Sequence, residues 1–181
     1  MLKGKDLARE IKSALENLDP AKEGDTIRSK YQDTIKTYLE KNIDITLSYE
    51  GAIPGTPPTP DLEPSFKGKL TFPTFDFLPA PTKEAFDLNL STAVKGGLIS
   101  NGDESNGITF PPLAFNPAGM IVTVFPSFDA TDKNASVDDF MEKYCDSILN
   151  QIKTGFISIT PSLGARLTKS STGAVTMVTI Q

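Results

Sequence analysis

Ile43-Asp44-Ile45-Thr46-Leu47-Ser48-Tyr49 is the stretch on which the fold class turns. Its apolar residues Ile43, Ile45 and Leu47 alternate with Asp44, Thr46 and Ser48, so one face is apolar and the other polar, as a half-buried strand over 43–49 requires. Everything before it keeps a different period. Leu7, Ile11, Leu15 and Leu18 recur at steps of three and four and predict a helix that Asp19-Pro20 stops or re-aims, because a residue before proline is driven out of the α region. Ile27, Tyr31, Ile35, Tyr38 and Leu39 form the apolar stripe of a second helix, with Asp25 or Thr26 as its N-cap. Residues 1–43 thus read as an N-terminal helix pair. The change from a period of 3.6 to one of two at Ile43 predicts an α+β fold, a mixed or antiparallel sheet covered by amphipathic helices.

The far end of the chain repeats the alternation of helix and strand. Val137, Phe140, Met141, Tyr144, Cys145, Ile148, Leu149 and Ile152 fit one helical stripe, Ser136 and the acidic Asp138-Asp139 suit its start, and Gly155 its end. Strands are expected over 156–160 and 174–180, joined through a polar turn at 168–173, and Met120-Ile121-Val122-Thr123-Val124-Phe125 reads as a buried strand.

Between these parts lies 51–82, in which eight of 32 residues are proline. That density forbids a helix, and a central strand across most of the segment. Phe66, Leu70, Phe72, Phe75, Phe77 and Leu78 sit inside it, more large apolar groups than a solvated linker needs. The segment reads either as an extended arm docking on its own or a neighbour's surface, or as a proline-punctuated edge of the chain's own sheet. One domain over 1–181 follows, with helices at 1–43, the proline-rich arm at 51–82 and a helix/strand body at 83–181.

An internal echo links the proline-rich segment to the body. Lys69-Leu70-Thr71-Phe72-Pro73-Thr74-Phe75-Asp76 is similar to Val122-Thr123-Val124-Phe125-Pro126-Ser127-Phe128-Asp129, and each is followed ten or eleven residues on by an apolar-periodic stretch opening at Phe86 or Phe140. It reads as two pseudo-equivalent strand-helix-strand units, or as chance likeness between short Phe- and Pro-rich segments.

Composition narrows the chemistry. The chain has no His, no Trp and one Cys among 181 residues, which leaves no Ser-His-Asp or Cys-His pair, no His-bearing or multi-Cys zinc site and no internal disulfide. Cys145 in a helical stripe reads as a small buried hydrophobe. A net charge of −5 with no basic run disfavours non-specific nucleic-acid binding, which needs clustered cations. The charged N-terminus lacks the apolar core of a secretory signal, so a cytosolic start is expected, and no stretch approaches the length of a membrane span. Asn101-Gly102-Asp103-Glu104-Ser105-Asn106-Gly107 lacks the Asp-x-Asp-x-Asp start of a calcium loop and reads as a hairpin tip. Asp129, Asp132, Asp138 and Asp139 read as helix-start carboxylates, and Gly96-Gly97 as a helix C-cap rather than a phosphate turn. A carboxylate-based hydrolase finds no pair of acids to nominate. No cofactor motif is present, and the expectation is a protein that is not an enzyme.

What the sequence does carry suits interfaces. Extended proline-rich backbone, eleven Phe and a strand ending almost at the last residue allow sheet-edge augmentation or arm exchange between subunits. Pro57, Pro58, Pro60, Phe66, Phe72, Phe75 and Phe77 are the candidate partner-binding residues, and Arg166 offers either a bidentate carboxylate anchor or a solvated charge. The charged helix pair, the segment Gly51-Ala52-Ile53-Pro54-Gly55-Thr56-Pro57-Pro58-Thr59-Pro60, the scarcity of Cys and His and the acidic balance together resemble, in overall style, the small virion structural proteins of tailed bacteriophages. Baseplate, neck and tail-completion subunits are of this kind. The resemblance implies a non-enzymatic subunit of the virion that docks other protein subunits through extended arms, as a homo- or hetero-oligomer, without direct contact to nucleic acid or membrane. The alternative expectation is a small-molecule or carbohydrate-binding module, with Phe72, Phe75, Phe125 and Phe128 lining its pocket.

Overall fold

A computed structural model of the chain describes residues 3–51, 65–101, 108–109, 112–115, 137–154, 162–167 and 172–180. Among these described residues four helices are seen: α1 (Gly4–Leu15), α2 (Gly24–Asn42), α3 (Lys83–Lys95) and α4 (Val137–Thr154). Seven strands accompany them: β1 (Ile45–Gly51), β2 (Ser65–Thr71), β3 (Gly97–Asn101), β4 (Ile108–Thr109), β5 (Leu113–Phe115), β6 (Ser162–Leu167) and β7 (Thr172–Ile180). They form one sheet in the order β4-β6-β7-β1-β2-β3-β5, and every described pairing is antiparallel. The fold is α+β, and the sheet is antiparallel, not mixed.

Connectivity dictates the shape of that sheet. Six strand spacings of about 4.8 Å would hold the two end strands of a flat sheet about 29 Å apart. The end strands β4 and β5 are separated in sequence only by residues 110–112, and the four Cα steps from Thr109 to Leu113 span at most about 14 Å. The sheet therefore curls until its ends approach. Register shifts between Ser48 and Tyr49 in β1 and between Leu163 and Ala165 in β6 are irregularities of the kind that sharpen local twist.

The inner face of the curl follows the alternation of its strands. Ile45 and Leu47 on β1, Leu70 on β2, Ile99 on β3, and Leu113 and Phe115 on β5 are buried. Gly68 and Gly97 lie on the same face as the leucine and isoleucine of their strands. A Cβ on Gly68 would lie 2.8 Å from Ile45 Cγ2, and one on Gly97 2.8 Å from a Phe72 ring carbon. Both positions give their space to neighbouring side chains. Ile35, Tyr38 and Leu39 of α2, Phe86, Leu90 and Val94 of α3, and Tyr144, Cys145, Ile148 and Leu149 of α4 complete one contiguous core.

α1 is the outermost layer. It packs on α4 and α2, burying Leu7 and Ile11 completely or nearly so, which stabilises the contact by about 1.5–3 kcal/mol per side chain. No side chain caps α1 from within; Asp146 of α4 accepts from Gly4 N at 2.8 Å instead, setting a carboxylate at the positive end of the helix. The Tyr38 hydroxyl of α2 accepts from Lys3 N and donates to Lys3 O, both at 2.9 Å.

Several expectations need correction. The first helix ends at Leu15, short of Leu18, because Asp19 starts a turn: its carboxylate accepts from Ala21 N, and its carbonyl from Lys22 N and Glu23 N. Neither Asp25 nor Thr26 caps α2, which begins at Gly24; Asp25 pairs with Arg28, and Glu23 reaches back to accept from Asp19 N. β2 is an interior strand, flanked by β1 and β3, inside the segment whose prolines argue against one. Averaged over 32 residues the prolines hide an eight-residue window, 65–72, between Pro64 and Pro73, and β2 lies in it. β3 and β4, the strands on either side of the hairpin tip expected at 101–107, do not pair with each other: β3 pairs with β5 and β4 with β6. Residues 102–107 themselves, the strands expected at 120–125 and 156–160, and Ser136, Gly155, Asp129 and Asp132 lie outside the described residues. Of the segments in the internal echo, the first runs through β2, α3 and β3, and of the second only α4 lies within the described residues.

Candidate functional site

The candidate interface residues fall into three groups. Phe72, Phe75 and Phe77 are core residues of the chain itself, 1%, 8% and 2% exposed, so these rings are not offered to a partner. Phe66 lies on β2 opposite Leu47, and Arg166 on β6 opposite Thr109 and Thr172. Pro57, Pro58 and Pro60, like Phe125 and Phe128, lie outside the described residues. A ligand pocket built on Phe72 and Phe75 has no exposed ring face to use.

The segment after β2 explains why the rings turn inward. Residues 72–81 carry no regular secondary structure; α2 accepts from three of their backbone N–H groups, and Asn89 of α3 donates to Phe77 O. Glu40 Oε1 accepts from Phe72 N, and Gln32 Oε1 accepts from both Phe77 N and Leu78 N, each at 2.7 Å. The two side chains stand eight residues apart on α2, about 12 Å along its axis. The segment therefore runs antiparallel to α2 as a clasped strap, and its Leu78–Pro79 peptide is cis. With the backbone held, the rings interlock. Phe72 and Phe75 centroids are 5.0 Å apart, Phe75 and Phe77 5.6 Å, and Phe77 and Phe86 5.4 Å, the last two edge-on as aromatic quadrupoles prefer. Phe115 on β5 and Tyr144 on α4 extend the run at either end, each 6.2 Å from its neighbour.

Where this run meets α4, Tyr31 Oη donates to Tyr144 Oη at 2.5 Å. Burial raises the pKa of both phenols, and the hydrogen bond pulls Tyr31 partly back. Cys145 beside them is fully buried, and burial, reinforced by Asp146, pushes its thiol up to about 12. A neutral thiol and neutral phenols are poor nucleophiles and poor bases near neutral pH, so this node is a packed junction of α2 and α4. Among the described residues no group of three or more His, Cys, Asp or Glu side chains is placed to share a metal ion. No described helix is long and apolar enough to cross a membrane.

A groove of about 390 Å³ opens between α1 and α4, and a second of about 490 Å³ lies between α1 and α2. Ala8, Ile11, Leu15 and Met141 make the floor of the first, Lys5, Arg9 and Lys12 one rim, and Asp138 and Glu142 the other. The helices run antiparallel: Gly4 meets Asp146 at one end, and Lys12 Nζ lies 3.0 Å from Asp138 Oδ1 two turns away. Arg9 is held 3.5 Å from Asp6 on its own helix. Sequence reading misses this site because its two walls lie more than 120 residues apart. Only the apolar stripes of the two helices were legible, and a stripe does not name the helix it meets.

No protein-family model, characterised protein or solved structure matches this chain.

Proposed function

We propose that the chain is a non-enzymatic structural subunit of a larger assembly, of the tail, baseplate or neck kind in a phage particle, and that it engages neighbouring protein subunits through its proline-rich connection. The observation that carries this reading is the length of one loop. β1 and β2 pair directly, with Ser48 opposite Ser65, and two to five residues suffice to join such strands. This chain spends 52–64 there, thirteen residues with prolines at 54, 57, 58, 60 and 64. Proline removes backbone donors and favours polyproline II, a conformation that loses little entropy when a partner binds it. The arm is thereby narrowed from 51–82 to 52–64, since 65–82 is engaged within the chain, and Pro57, Pro58 and Pro60 stay its central candidates. In the same reading the Phe-Pro-x-Phe-Asp echo makes β2-α3-β3 one unit and the region of α4 its counterpart.

The test is to replace 52–64 with Asn-Gly, which leaves a five-residue loop, residues 49–51 and the inserted pair, between the paired Ser48 and Ser65. The shortened chain keeps its circular-dichroism spectrum and its cooperative unfolding. It loses the high-mass species that the parent forms, alone or in an extract of its source, in light scattering coupled to size exclusion. Equal assembly by the shortened and parent chains, or a monomeric parent in both samples, overturns the proposal.

A further inference from the structure

Among the described residues, α1 is held by two other helices. Its extensive packing is against α4 and α2, and its polar anchors go to the same two helices: Gly4 N to Asp146, Lys3 to Tyr38, and Lys12 to Asp138. The connection to α2 carries no buried residue from Glu16 to Thr26 and is held by short-range hydrogen bonds centred on Asp19. Nothing that seats α1 requires the seat to belong to the same chain. A second copy presents the same Asp146, Tyr38 and Asp138 around the same apolar trough.

We propose that α1 is an exchangeable arm, which leaves its own α2/α4 seat and occupies the identical seat on a second copy of this chain. Nine Cα steps from Leu15 to Gly24 span up to about 30 Å when extended, enough to reach an adjacent copy. The outward residues of α1 are Lys5, Arg9, Lys12 and Ser13, so the released helix exposes only its narrow stripe of Leu7, Ile11 and their neighbours. Exchange repeats existing contacts and creates no new surface, which is why such swapping is a low-cost route to association. A seat on the same chain competes at an effective concentration in the millimolar range. Exchange therefore dominates where copies are held side by side and fades in dilute solution. The inference extends the assembly reading with α1, an element distinct from the proline-rich connection, and rests on that reading only for the crowding that favours it.

The test uses the full chain and two exposed positions. Lys12→Cys and Asp138→Cys are made in separately tagged chains, mixed at about millimolar concentration, and treated with a short bis-maleimide. The double variant Lys12→Cys/Asp138→Cys reports the same geometry within one chain. Exchange predicts a covalent dimer joined through positions 12 and 138, identified by peptide mass, whose yield rises with concentration. It also predicts no such dimer when Lys41→Cys, on the exposed last turn of α2, replaces Lys12→Cys. Cross-linking within the double variant but never between chains overturns the inference, as does equal dimer formation by the Lys41→Cys chain. If the parent still assembles by light scattering in that case, α1 exchange fails while the assembly reading stands.

Discussion

Gly4 has no side chain because there is no room for one. A Cβ there would sit 2.5 Å from Asp146 Cγ and 2.6 Å from Asp146 N, and backbone cannot swing aside as the end of a long side chain can. Gly4→Ala should prise α1 from α4 and cost about 1–3 kcal/mol, the usual range for overpacking. Gly24 is the natural control. It opens α2 with nothing within 4 Å of the added methyl, so Gly24→Ala should instead stabilise by up to about 1 kcal/mol through a less flexible unfolded chain. Urea midpoints of the two variants check both signs, and a neutral Gly4→Ala would mean that the helices part more easily than their packing implies.

Among the elements, α2 organises most of the molecule, since one face seats α1 and another holds the 72–81 strap. Gln32 shows how. One amide oxygen takes two backbone donors, a duty only the oxygen end of that side chain can perform. Gln32→Ala leaves the N–H groups of Phe77 and Leu78 without that acceptor and should cost about 1–3 kcal/mol. Gln32→Glu, which keeps the oxygen, should stay closer to the parent. Amide hydrogen exchange at Phe77 and Leu78 reads the effect directly, and unchanged protection in Gln32→Ala would show that the clasp does not hold the strap. This element also marks how far the sequence could be read. α2, α4, β1 and β7 were legible because each repeats one period over several residues, and period is a property of the element itself. The strap was legible as extended and apolar, yet its destination was not, because Gln32 and Glu40 are ordinary polar residues until the fold brings them to a backbone more than thirty residues away. β6 was missed for a related reason: Ser-Leu-Gly-Ala-Arg-Leu is poor in β-branched residues, and its register shift beside Gly164 breaks the alternation that would reveal it. The groove between α1 and α4 was illegible on the same ground, being a product of which stripes meet.

For the molecule as a whole, the buried thiol and phenols of α2 and α4 predict a loss of stability at alkaline pH. Cys145, Tyr31, Tyr144 and Tyr38 all have raised pKa values, burial being the first cause in each case. In the folded chain these groups hold their protons to higher pH than in the unfolded chain, where the thiol ionises near 9.0 and the phenols near 10.0. The unfolded state therefore binds fewer protons once the pH passes those values, and stability falls as pH rises. Below about pH 8 the four groups contribute no pH dependence; above it the loss begins with Cys145 and steepens as the tyrosines join. A single group held fully protonated by the fold contributes a slope of about 1.4 kcal/mol per pH unit between its two pKa values. Urea unfolding repeated between about pH 8 and 11 should show the midpoint falling with increasing steepness. Cys145→Ala should flatten the first part of that fall, whatever its constant cost in packing. Phenolate absorbance supplies an independent reading, since the buried tyrosines should ionise together with the loss of structure rather than before it. Ionisation of all four tyrosines of the sequence near pH 10 in a still-folded chain would mean that water reaches the junction, and that the helix layer over the curled sheet opens far more readily than its packing implies.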